Sequence, residues 1–116
     1  MTPEAECIFC KIVAGDVPST SVYRDDSVMA FEDAQPVAPT HILVVPTSHV
    51  GYLSELGGSS EKLLGHMVLV AEKIAAERGV RENGYRLVIN QGGDAGQMVD
   101  HLHLHLIGGR QLGALG

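Results

Sequence analysis

Positive charge is scarce in this chain: 8 Lys and Arg stand against 14 Asp and Glu, a formal net charge of −6. A surface for duplex nucleic acid needs clustered Lys and Arg to neutralise phosphates, so an extended nucleic-acid partner is excluded. Tryptophan is absent and aromatic residues make up only 4%, which leaves too few rings for a base-stacking platform along a single strand. With 2 cysteines there is no secreted disulfide framework. No apolar run reaches the roughly 18 residues of a membrane span. The opening Met1-Thr2-Pro3-Glu4-Ala5-Glu6 is acidic where a signal peptide would be basic and then apolar. These absences describe a soluble cytoplasmic protein without a membrane partner. At 116 residues the chain is one domain, large enough for a modest core. None of this excludes one bound nucleotide, which backbone N–H groups and a few side chains can hold.

Short breaks divide the chain into alternating pieces. Residues 7–13 read as a short helix stopped at Gly15. Ser21-Val22-Tyr23 and Val28-Met29-Ala30-Phe31 flank a polar turn and read as a hairpin. The prolines of Gln35-Pro36-Val37-Ala38-Pro39 mark a loop. Ile42-Leu43-Val44-Val45 is an apolar run suited to a central strand. Leu63, Met67, Val70 and Ile74, with Leu64, Ala71 and Ala75 beside them, form the stripe of a long amphipathic helix with Ser60 as N-cap and an end near Gly79. Residues 84–90 and 101–107 read as further strands, joined by the glycine-rich turn 91–96. Strands linked by short turns with one long helix make an antiparallel α+β domain.

Of the 6 histidines, His101, His103 and His105 alternate with Leu102, Leu104 and Leu106. On a strand this sends the leucines into the core and all three imidazoles to the opposite face. Imidazole is the side chain whose ordinary pKa lies near neutrality, and it serves as nucleophile, base or metal ligand. The plain alternatives are a solvated edge strand and an accidental metal-binding tract. Solvated strands ordinarily use Thr, Lys, Glu or Ser.

The pattern His-φ-His-φ-His-φ-φ (φ apolar), completed by Ile107, resembles the histidine-triad family. The likeness extends to Ala38-Pro39-Thr40-His41-Ile42-Leu43-Val44-Val45-Pro46, the strand end at Asn90, Gly96-Gln97, and Gly108-Gly109-Arg110-Gln111, as in the Hint branch. It implies a single domain over 1–116 with a core of about 7–111: a sheet of about five antiparallel strands with one long and one short helix. It also implies a homodimer joined through the long-helix and central-strand region. The implied activity is hydrolysis of purine nucleoside 5′-phosphoramidates through a covalent nucleotidyl-histidine. Cleavage of dinucleoside polyphosphates, or a nucleotide-binding module with vestigial activity, are the alternatives.

By the same resemblance His103 is the nucleophile, His101 supplies the backbone carbonyl that holds its other ring nitrogen, and His105 contacts the phosphoryl oxygens. Asn90 lies beside the phosphate and leaving group, Gly96 and Gln97 form the loop at the phosphate, and Asp33 pairs with ribose. Ile8, Phe9, Ile12 and Phe31 surround the base, although ordinary core packing accounts equally well for Ile12. His41 is a hydrogen-bond partner behind the triad. No catalytic metal is required. Met98, also at the nucleotide site, stands where members of the family often carry serine, and a thioether cannot donate a hydrogen bond. The tail after Gln111 lacks the tryptophan found in some relatives. Cys7 and Cys10 form one CxxC, open to three readings: a redox pair, two buried thiols, or half of a tetrahedral structural zinc site. The resemblance completes such a zinc site with His49 and His101. His66, on the long helix, faces solvent or an interface and carries no chemistry.

Overall fold

A computed structural model describes residues 6–115; the acidic N-terminal stretch, apart from Glu6, and Gly116 lie outside the described residues. The chain forms α1 (Ile8–Ala14), β1 (Ser21–Arg24), β2 (Val28–Glu32), β3 (Thr40–Pro46), α2 (Glu61–Glu77), β4 (Tyr85–Val88) and β5 (Leu104–Gly108). The strands make one antiparallel sheet in the order β1-β2-β3-β5-β4.

Every residue of β3 is buried, because both faces of the sheet centre are covered. Ile42 and Val44 join Val28, Ala30, Leu104 and Leu106 beneath Met67, Val70, Ala71 and Ile74 of α2. Leu43 and Val45 point the other way and pack with Met29 and Phe31 against Phe9 and Ile12 of α1. A strand buried on both faces loses its polar alternation, which is why its sequence is a continuous apolar run. Leu102, Leu104 and Leu106 are all sealed in the α2-side core.

Boundaries differ from the sequence expectation where side chains or turns take over backbone hydrogen bonds. The ladder of β5 begins at Leu104 rather than His101. The His101 carbonyl accepts from the His103 ring and the Leu102 N–H goes to Val50, so neither is available to a neighbouring strand. Ser60 makes no side-chain cap; α2 instead continues from a one-turn 3-10 helix, Gly58–Ser60. At the other end Gly79 adopts φ +74, and the Gly79 and Val80 N–H groups return to the carbonyls of Ala76 and Ala75. This left-handed stop needs glycine because a Cβ would crowd the following carbonyl.

β5 lies between β3 and β4, which removes the solvated-edge reading of the histidine segment. β3 is likewise enclosed by β2 and β5, so it has no open edge on which a second sheet could join. The edges are β1 and β4.

Candidate active site and metal centre

The face of the sheet opposite α2 is only partly roofed by α1, leaving a cleft of about 950 Å³. Ile8, Phe9, Ile12, Phe31, Asp33, Asn90, Gly96, Met98, His103 and His105 all line it. The sequence expectation missed Leu43, Val99 and the segment Pro18-Ser19-Thr20, which line it too. Leu43 was legible only through register: it pairs directly opposite His105, and facing partners share a side of the sheet.

The imidazoles do not all share one environment. His103 and His105 meet in the cleft with ring centroids 5.0 Å apart, whereas His101 is fully buried and turned toward the cysteines. Gln97 also departs from expectation. Its Oε1 accepts from the Gly92 N–H and its Nε2 donates to the carbonyls of Gly51 and Val99. The side chain therefore ties the glycine-rich turn together instead of lining the cleft. Gly96 is needed there for its backbone, at φ +81, since a Cβ would meet nothing within 4 Å.

Backbone partners assign the ring protons. The His101 carbonyl can only accept, so His103 donates from Nδ1 at 2.7 Å, and its Nε2 keeps a lone pair. The Val37 N–H donates to His41 Nδ1 at 3.1 Å, which puts the His41 proton on Nε2. That nitrogen donates to His105 Nδ1 at 2.9 Å, with Asp33 Oδ2 3.4 Å away. His105 is left with its N–H on Nε2. Burial, then the neighbouring His103 and His41, push the His105 pKa down to about 4, with Asp33 opposing. Burial also lowers His41, again against Asp33. Both rings are thus neutral near pH 7. The cleft presents one imidazole with a basic nitrogen and a second that donates a hydrogen bond, the pairing needed to attack an electrophilic centre and stabilise charge on it.

Cys7, Cys10, His49 and His101 form a second cluster, their candidate ligand atoms all within 4.8 Å of one another. Cys7 caps α1, accepting from the Cys10 N–H. His101 Nδ1 lies 3.3 Å from Cys7 Sγ and 3.5 Å from Cys10 Sγ, and His49 Nδ1 lies 3.1 Å from Cys10 Sγ. A tetrahedral ion with bonds of ~2.0–2.3 Å has ligand separations of about 3.3–3.8 Å, close to these. His101 Nε2 donates to the Pro46 carbonyl at 2.9 Å, which turns its lone pair toward the thiols as metal-bound histidines require. His49 Nε2 is buried with no hydrogen-bond partner among the described residues, so whatever holds that ring acts at Nδ1, on the cluster side. These residues fit a tetrahedral metal.

Outside both sites, His66 is held by Asp25, at 2.5 Å from Nε2 to Oδ2. Asp25 also accepts from the Tyr23 hydroxyl at 2.6 Å. The helix histidine thus fastens α2 to the β1–β2 turn and is more than a solvent-facing residue.

The HIT domain family model matches residues 14–112. The chain belongs to the HIT family. A purine nucleoside phosphoramidase of Escherichia coli (strain K12) is 46% identical over 110 residues, which is 95% of this chain and 92% of that protein. Among solved structures, a histidine triad protein from Clostridium difficile matches with TM-score 0.92 and 45% identity over 100% of both chains. A zinc-bound histidine triad family protein from Mycobacterium smegmatis matches with TM-score 0.82 and 32% identity, covering 93% of this chain and 78% of its own. The HIT architecture here is the five-stranded antiparallel sheet with its two α-helices.

Proposed function

We propose that this HIT protein hydrolyses purine nucleoside 5′-phosphoramidates, releasing the nucleoside monophosphate and an amine. The observation that carries the reading is the pairing of a His103 Nε2 lone pair with a His105 Nε2–H in one apolar-walled cleft. His103 Nε2 attacks the α-phosphorus as the P–N bond to the leaving group breaks, the departing nitrogen taking a proton from solvent to leave as the amine. Water then attacks the nucleotidyl-imidazole, breaking its P–N bond to give the nucleoside monophosphate and return the free ring. Dividing the displacement in two lowers each barrier. His105 donates to a phosphoryl oxygen and Asn90 contributes a carboxamide beside it. Asp33, which lines the same cleft, accepts from ribose hydroxyls in this proposal, and Ile8, Phe9, Ile12 and Phe31 supply the slot for the base.

Cys7, Cys10, His49 and His101 would hold a structural zinc, which supplies a rigid cross-link between α1 and the segment leading into β5 and takes no part in the bond changes. Two thiols beside two imidazoles suit a reducing, cytoplasmic setting. The reading includes a homodimer that uses α2, whose outer residues Val68 and Leu69 are 42% and 68% exposed.

The test is incubation with adenosine 5′-phosphoramidate and, separately, diadenosine polyphosphates. The phosphoramidate should release AMP faster, and a labelled nucleotidyl adduct should be trapped on the intact protein but not on His103→Ala. Faster release from the dinucleotides, or an adduct on His103→Ala, would overturn the assignment.

A further inference from the structure

Helix α1 carries residues of both sites. Its N-cap Cys7 and its Cys10 belong to the metal cluster, while Ile8, Phe9 and Ile12 wall the cleft. A helix of 7 residues has little stability of its own, since nucleation is costly and few bonds follow it. Its position therefore depends on what fastens it. Phe9 sets its ring edge-on to His103, 5.1 Å between centroids, and to His101 at 5.8 Å. His101 in turn faces the thiols with its ring and receives the His103 N–H on its carbonyl. The nucleophile is thus gripped from two sides by groups that the cluster itself holds.

We propose that the Cys7–Cys10–His49–His101 metal centre sets the position of the nucleophile, with Phe9 and His101 as the positioning residues, so that metal binding and nucleotide binding are energetically coupled. The inference rests on the nucleotide reading of the cleft. Loss of the ion would free α1 to shift, loosening the base slot and the Phe9 contact on the His103 ring together. Coupling between two sites is reciprocal: whatever factor the metal adds to nucleotide affinity, the nucleotide adds to metal affinity.

The experiment uses Co²⁺, whose charge-transfer absorption reports thiolate ligation. The full chain, kept reduced, is titrated with Co²⁺ with and without saturating AMP, and with AMP in the metal-loaded and metal-free states. Far-UV dichroism monitors the fold throughout. We expect AMP to tighten Co²⁺ binding at least fivefold, with an equal gain in AMP affinity on metal loading. In Phe9→Leu the Co²⁺ spectrum should persist while this factor falls toward unity. His49→Cys, which keeps a four-ligand N/S set, should retain the coupling that His49→Ala loses.

A factor below twofold in the wild-type protein overturns the proposal even if AMP binds well, and so does an undiminished factor in Phe9→Leu. Absence of the thiolate band removes the metal centre and the proposal with it. Failure of AMP to bind metal-loaded protein refutes the nucleotide reading itself, and is distinguished by the intact Co²⁺ spectrum.

Discussion

His41 receives a backbone N–H on one ring nitrogen and passes its own proton's hydrogen bond to His105, so a residue that need not touch substrate determines what His105 can donate. His41→Ala should lower kcat about 10–100-fold, the usual cost of removing a partner that orients an active group, with KM changing much less. Restoration by His41→Asn would show that the lost hydrogen bond is responsible. His103→Ala should lower kcat by at least ~10⁴-fold in steady-state assays, because the covalent route is lost entirely. Of the residues in these networks, the sequence showed which were histidines but not their protonation. Ring protons are assigned by carbonyls and N–H groups of Pro46, His101 and Val37, which lie elsewhere in the chain or on the backbone and leave no trace in residue type.

Among the elements, α2 was the most legible, since its stripe of Met67, Val70, Ala71, Ile74 and Ala75 is the buried face. Its stop at Gly79 gives a clean test of backbone strain. A Cβ there would meet no atom within 4 Å, and φ is +74, so Gly79→Ala isolates the left-handed penalty. Thermal unfolding should show a loss of about 1–2 kcal/mol, a fall in Tm of roughly 4–8 °C. On the opposite side of α2, where Leu69 is 68% exposed, the proposed homodimer predicts that Leu69→Glu shifts the wild-type dimer to a monomer in sedimentation velocity while leaving the Tm of the folded unit within a few degrees. A wild-type monomer would remove that assembly. Less legible was the start of β5. Alternation of His and Leu continues unbroken from 101 to 106, and period two alone does not reveal that a side chain has taken the His101 carbonyl out of the ladder.

Across the molecule, acid stability reflects histidines kept neutral and a carboxylate kept charged. His105 titrates near 4 when folded against 6.5 for an unhindered ring. The unfolded chain therefore binds more protons in that window, and stability falls as pH drops from about 6.5 to 4. His41 shifts in the same direction. Asp25 is held well below its usual 3.8 chiefly by the Tyr23 hydroxyl, with His66 and the N–H groups of Val28 and Ser27 adding to it. Its contribution is present above that value and disappears on further acidification. Urea unfolding across pH 3–8 should therefore show a plateau above about 6.5 and a decline below it. His105→Asn should flatten the upper part of the decline and Asp25→Asn the lower.

The alternation of His and Leu, the stripe on α2 and the apolar run of β3 were set by sequence alone, because period and hydrophobicity act locally and specify which side chains must leave water. Whether three imidazoles with the same spacing share one task was decided by tertiary structure. Packing of α1 over one half of the sheet takes His101 into a cluster with Cys7, Cys10 and His49, and leaves His103 and His105 in the open half. The scarcity of Lys, Arg and Trp argues against an extended nucleic-acid surface but is compatible with a small anionic ligand held in that cleft. Partners separated by more than 90 residues, such as Cys7 and His101, are brought within reach only by the sheet order and by the short helix laid across it.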